Sequence, residues 1–177
     1  MGNAIRHSLR AGAAAALGAS ALWALAAGPA SGASAAPTPA CTTAHLVLWL
    51  NTAEGGGAAG TSYHQLTFTN LGPACRLAGY PGVSAVDLAG HQVGRAAARD
   101  RGTSAHAVVL KRGASAVATL GIGTAANYPA STCRPVTAAG LRVYPPNQRA
   151  SKVVPFPFSS CSRTGPTILT VRPVASQ

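Results

Sequence analysis

Tyr63-His64-Gln65-Leu66-Thr67-Phe68-Thr69 alternates with the two-residue period of a β-strand. Leu66 and Phe68 point to one face; Tyr63, Gln65, Thr67 and Thr69 point to the other. The turn signal Asn70-Leu71-Gly72-Pro73 follows at once. Upstream, Ala44 to Leu50 sets Leu46, Leu48 and Leu50 against His45, Val47 and Trp49. Both of those faces are largely apolar, which predicts a strand buried deep in a sandwich. The segment between, Glu54 to Gly60, reads as a glycine-rich loop.

Downstream the same rhythm continues. Cys75 to Leu77 is extended, Gly79-Tyr80-Pro81-Gly82 turns, and Val83 to Leu88 runs on as a strand. Ala89-Gly90 turns into His91 to Arg95, and Ala96 to Thr103 reads as irregular and basic. Ala105 to Leu110 and Ala114 to Ile122 are strands joined by the turn Lys111-Arg112-Gly113. After a loop from Tyr128 to Pro135, Leu141 to Tyr144 is a strand stopped by Pro145-Pro146. Val153 to Phe158 is extended, and Pro155 and Pro157 assign it to a sheet edge because proline cannot donate to the ladder. Thr167 to Val171 is the last strand. Beyond the N-terminus no long segment carries a helical period. Many short strands between closely spaced turns predict an all-β, immunoglobulin-like β-sandwich of about 7–9 strands, covering residues 41–174.

The N-terminus has a different composition. Arg6, His7 and Arg10 precede an apolar stretch from Ala11 to Ala27, and a small-residue tract runs from Ala30 to Ala36. That order predicts a secretory signal peptide over residues 1–35. Cleavage after Ala33-Ser34-Ala35 keeps Pro37 away from the cut; a short proline-containing leader, 36–40, then opens the mature chain. The stretch is alanine- and glycine-rich with few leucines, so no stable membrane span is expected after cleavage. Cys41 follows Thr38, where a lipid-attachment motif would want a leucine-like residue.

All four cysteines, Cys41, Cys75, Cys133 and Cys161, lie in the mature part. An even count in a secreted chain implies disulfides. Three connectivities are possible. Cys41–Cys75 with Cys133–Cys161 is preferred because each closes a moderate loop within one half of the chain. Each such loop contributes about 3–4 kcal/mol in the chain-entropy picture. A structural metal would need close ligand pairs, and the nearest cysteines are 28 positions apart.

The charge is lopsided. The whole chain carries +11, and without Arg6 and Arg10 the mature part carries about +9, with Glu54, Asp87 and Asp100 its only acids. Such a charge draws a protein towards polyanions and also simply solvates it. Locally, His91 to Gly113 holds Arg95, Arg99, Arg101, Lys111 and Arg112 against Asp100 alone. If the loop after Arg95 and the turn at Lys111 share one end of the sandwich, they form a cationic rim for phosphate or carboxylate groups.

Thr67-Phe68-Thr69-Asn70 and Cys75-Arg76-Leu77-Ala78-Gly79-Tyr80-Pro81-Gly82-Val83 resemble the domain-of-unknown-function 4232 family of actinobacterial secreted and lipid-anchored proteins. Leu110 to Ala116, Cys133-Arg134-Pro135, Leu141-Arg142-Val143 and Pro145-Pro146 resemble the family's second half. Arg112 departs from it, standing where proline is expected. The resemblance spans Cys41 to about Val174. It implies a secreted β-sandwich and no particular activity.

Catalytic arrangements are sparse. There is no G-x-S-x-G nucleophile elbow and no H-E-x-x-H pair. Glu54 and Asp100 sit in loops ill-suited to paired-carboxylate chemistry. Asp87 and His91 flank a turn and could meet. Gly121-Ile122-Gly123 lacks the helix that would cradle a phosphate. The basic stretch has no interleaved aromatics, which argues against nucleic acid. The expectation is a secreted, non-enzymatic module with no cofactor, at or near the cell envelope. Its expected partner is an anionic envelope polymer or another extracellular protein. The alternative is a secreted hydrolase with a site near His91 and Asp87.

Overall fold

The computed structural model describes residues 36–162 and 164–177. The expected signal peptide, 1–35, lies outside the described residues. Two long strands begin the domain, β1 (Leu46–Ala58) and β2 (Thr61–Asn70). β1 runs straight through the stretch expected as a glycine-rich loop. Its end pairs Gly56, Gly57 and Ala58 with Tyr63, Ser62 and Thr61, after a register shift between Asn51 and Gly56. Ala59 and Gly60 close the hairpin with φ of 45° and 81°. Two successive positive φ values define the primed turn whose twist suits a tight hairpin. Glycine has little strand preference of its own; here the ladder from β2 supplies it.

Ten further strands follow: β3 (Cys75–Ala78), β4 (Gly82–Val86), β5 (Gln92–Val93), β6 (Ala98–Arg99), β7 (Ala107–Leu110), β8 (Ser115–Gly123), β9 (Pro135–Tyr144), β10 (Lys152–Cys161), β11 (Leu169–Val171) and β12 (Ala175–Ser176). Three of them are two-residue pairings too short to read from alternation. One sheet has the order β1-β2-β8-β11-β6, with β12 also on β8; a second runs β10-β9-β4-β5; β3 and β7 form a small pair. Leu66 and Phe68 of β2, Ala116, Ala118 and Leu120 of β8, and Leu169 and Val171 of β11 are buried. So are Val83 and Ala85 of β4, Leu141 and Val143 of β9, and Val154 of β10, and all but Val86 among the buried strand aliphatics join one core. The fold is an all-β sandwich.

Both edges depend on sequence. β1 is an edge strand, not a deeply buried one: Leu46 is buried, but Val47 and Trp49 on its other face are each 42% exposed. An apolar run on both faces does not by itself separate a central strand from an edge. β10 is an edge, as its prolines predict, and its register shifts between Pro155 and Phe158. The Lys152 ammonium donates to the carbonyl of Leu46, linking the β10 and β1 edges across the two sheets.

Two disulfides pair as preferred from loop size, Cys41–Cys75 and Cys133–Cys161. The first pins the segment before β1 to β3, where Arg76 N donates to Pro39 O at 2.8 Å and Cys41 N to Arg76 O at 3.0 Å. The second ties a single helical turn, Ala130–Cys133, to the end of β10.

Candidate functional site

Arg95, Arg99, Arg101, Lys111 and Arg112 are all exposed. They do not gather into one rim. Arg99 pairs with Val171, which lies opposite Leu120, whereas the Lys111 turn leads into Ser115 at the start of β8. The two levels lie about 17 Å apart along β8 at ~3.4 Å per residue. Two of the arginines also have local company. Arg95 Nε donates to Gly165 O at 3.1 Å. The Arg99 guanidinium carbon sits 5.5 Å from the centre of the Tyr80 ring, a cation–π contact. Next to them Arg172 Nε meets Asp100 Oδ2 at 2.9 Å. Asp100 is held below the usual carboxylate range, first by the backbone N–H of Gly102 and then by Arg172. Among the described residues Arg172 is the only lysine or arginine ion-paired with an acid.

Asp87 and His91 do meet. They close the β4–β5 hairpin, with His91 N donating to Asp87 Oδ1 at 2.8 Å and Nδ1 lying 3.4 Å from Oδ2. That backbone N–H is the main reason the Asp87 carboxyl is held low. The His91 side chain is 81% exposed, and no serine or threonine hydroxyl hydrogen-bonds to it among the described residues. The arrangement has the geometry of a capped turn. No three His, Cys, Asp or Glu side chains group closely enough to hold a metal ion among the described residues.

A cleft of about 370 Å³ opens beside Arg99. The turn before β4 supplies Gly79 and Tyr80, and Gly82 opens β4; the end of β9 and the turn after it supply Tyr144, Pro145, Asn147 and Gln148. Sequence reading treats these two segments as turn and strand end and does not connect them. Gly82 pairs with Tyr144 across the β4–β9 ladder, which brings them together. A larger depression of about 480 Å³ lies between β7 and the C-terminal segment, lined by Val108, Pro173 and Val174 with His106 its one titratable group.

A disulfide-braced all-β sandwich with a polar cleft and dispersed surface cations defines the class structurally. Residues 41–175 match the family described as Domain of unknown function (DUF4232), and the chain belongs to that family. No curated protein and no solved structure matches the chain.

Proposed function

We propose that the chain is a secreted, non-enzymatic module that associates with anionic cell-envelope polymers through the basic residues between Arg95 and Arg112. The observation that carries this reading is the spacing of exposed cations. Arg99 and Lys111 stand at levels about 17 Å apart, and neither pairs with a described acid. A small anion would need them converged; an extended polyanion meets them one after another. The local excess of positive charge supports electrostatic capture. Two disulfides and the order of the N-terminal sequence support export to an oxidising compartment. The alternative, a hydrolase at His91 and Asp87, has its pair in contact but no hydroxyl nucleophile bonded to His91 among the described residues.

Retention on an immobilised teichoic-acid or heparin column tests the polymer reading. Arg95→Ala with Arg99→Ala and Arg101→Ala should elute at lower salt than the charge-matched set Arg76→Ala, Arg134→Ala and Arg149→Ala. Arg142 is a poor control because its guanidinium holds the carbonyl of Gly90. Equal elution of the two sets would reduce the segment to a share of the net charge and overturn the reading.

A further inference from the structure

The cleft beside Arg99 is lined by polar side chains with hydrogen-bonding groups that make no bond to another described residue. Asn147, at φ 60°, donates from Nδ2 to Ala78 O at 3.1 Å, which fixes its side chain and leaves Oδ1 without a partner among the described residues. Gln148 is anchored through its backbone N–H on Pro145 O at 3.0 Å. Its Nε2 reaches only Asn147 O at 3.5 Å, and its Oε1 has no partner among the described residues. The Tyr144 hydroxyl likewise has none. Arg99 is placed by the face of Tyr80 and not by an acid, so its donors stay available.

Gly82 faces Tyr144 across the β4–β9 ladder. A Cβ on Gly82 would lie 3.4 Å from Tyr144 Cβ and 3.6 Å from Cδ2. The Tyr144 side chain thus sits beside Gly82, at ordinary contact distance, in the cleft wall. Two aromatic rings, one guanidinium, one free phenol and two amide oxygens thus line a single cleft, of a size within the usual range of about 300–1,000 Å³ for small-molecule sites.

We propose that this cleft binds an acidic monosaccharide unit, a pyranose bearing a carboxylate. The carboxylate accepts from the Arg99 guanidinium, a charge-assisted interaction. The sugar hydroxyls donate to Asn147 Oδ1 and Gln148 Oε1, and its apolar C–H face lies against the Tyr144 ring. A simple inorganic anion would use Arg99 and leave the two amide oxygens idle. A neutral sugar would leave the guanidinium idle. The inference shares Arg99 with the polymer reading but not the rest of the site: a polyanion can follow the exposed cations with the cleft empty, and the cleft can fill in a protein that ignores polyanions.

Amide NMR of the full-length, disulfide-bonded protein distinguishes these cases, with D-glucuronate, its neutral methyl ester and acetate as three separate probes. Glucuronate should give saturable shifts at Tyr80, Gly82, Tyr144, Asn147 and Gln148. The methyl ester should bind about tenfold or more weaker, the loss expected when a charge-assisted hydrogen bond goes. Acetate should not shift the Asn147 and Gln148 amides. Arg99→Gln should abolish the preference for the acid over the ester. Gln148→Ala should weaken both sugars while keeping that preference, and each variant should keep the wild-type thermal midpoint. The inference is overturned if glucuronate gives no saturable shift there, if acetate competes with it at equal concentration, or if Arg99→Gln keeps the preference. Loss of polymer retention with these shifts intact would overturn the polymer reading alone.

Discussion

Asn70 is fully buried and joins two turns that the chain order keeps apart. Its Nδ2 donates to Pro73 O at 2.8 Å and to Leu110 O at 3.1 Å, and its Oδ1 accepts from Gly72 N at 2.9 Å. Its backbone adds bonds to Ala114 O and from Gly113 N. Asn70→Ala leaves several buried partners unpaired, at about 1–3 kcal/mol for each such group. Denaturant unfolding should show a loss of about 3 kcal/mol, and Asn70→Asp should be worse because it sets a carboxylate against two carbonyls. A cost below about 1 kcal/mol for the alanine variant would deny Asn70 this bridging role. His64 is a second buried-side residue with a measurable signature. Its Nδ1 is enclosed with no partner, its Nε2 lies 3.2 Å from Ser62 Oγ, and its ring stacks edge-on with Phe156 at 5.3 Å. Burial lowers its pKa from 6.5. A depressed histidine is neutral in the fold and protonates more readily when unfolded. Its contribution is therefore complete above 6.5 and is lost as pH falls through that value towards the lower folded one. Thermal midpoints measured from neutral to mildly acidic pH should fall, and His64→Phe, which keeps an aromatic ring against Phe156, should flatten that fall. An unchanged slope would mean that His64 does not titrate with folding.

At the scale of elements, the β1–β2 hairpin carries the clearest prediction. Ala59 holds a φ of 45°, a conformation costly for a residue with a Cβ, whereas Asn tolerates it. Ala59→Asn should raise stability by about 0.5–1 kcal/mol. Gly60→Ala should lower it, since the backbone there has φ 81°, which disfavours a side chain, and its Cβ would run into the Asn127 side-chain amide. Chemical denaturation of the two variants checks both signs; the same sign for both would contradict the primed turn. This hairpin also marks where sequence reading stops. Alternation at Leu66 and Phe68 identifies the inner face of β2 because burial and pleat share one period. The extension of β1 through Gly56 and Gly57 carries no side-chain pattern, so it is visible only through its partner strand. β6 and β12 exist because β11 and β8 offer them edges, which local composition does not record. The Asp87–His91 contact was legible because four positions across a tight turn must meet. The cleft was not: Tyr80 and Tyr144 are brought together by the β4–β9 register, and pairing between distant strands is not written in either segment alone. The turn residues Gly79, Gly82 and Asn147 were its only local signal.

At the scale of the whole molecule, a small core is reinforced at both ends of the chain by crosslinks, and the surface is left cationic. Each disulfide closes a loop of about 30 residues, and removing either should cost about 3–4 kcal/mol by the chain-entropy argument. The charge, about +9 from residue 36 onward, is dispersed mostly over turns and loops among the described residues. Dispersed, solvent-facing charges interact through water and salt, so capture by them fades as screening lengths shorten. The most direct measurement is the affinity of the purified protein for soluble teichoic acid across a salt series. Binding is expected at low ionic strength, its affinity falling log-linearly with salt concentration. It should be largely gone once the Debye length drops well below about 8 Å. Binding that is indifferent to salt, or no binding at low salt, would contradict the polymer reading.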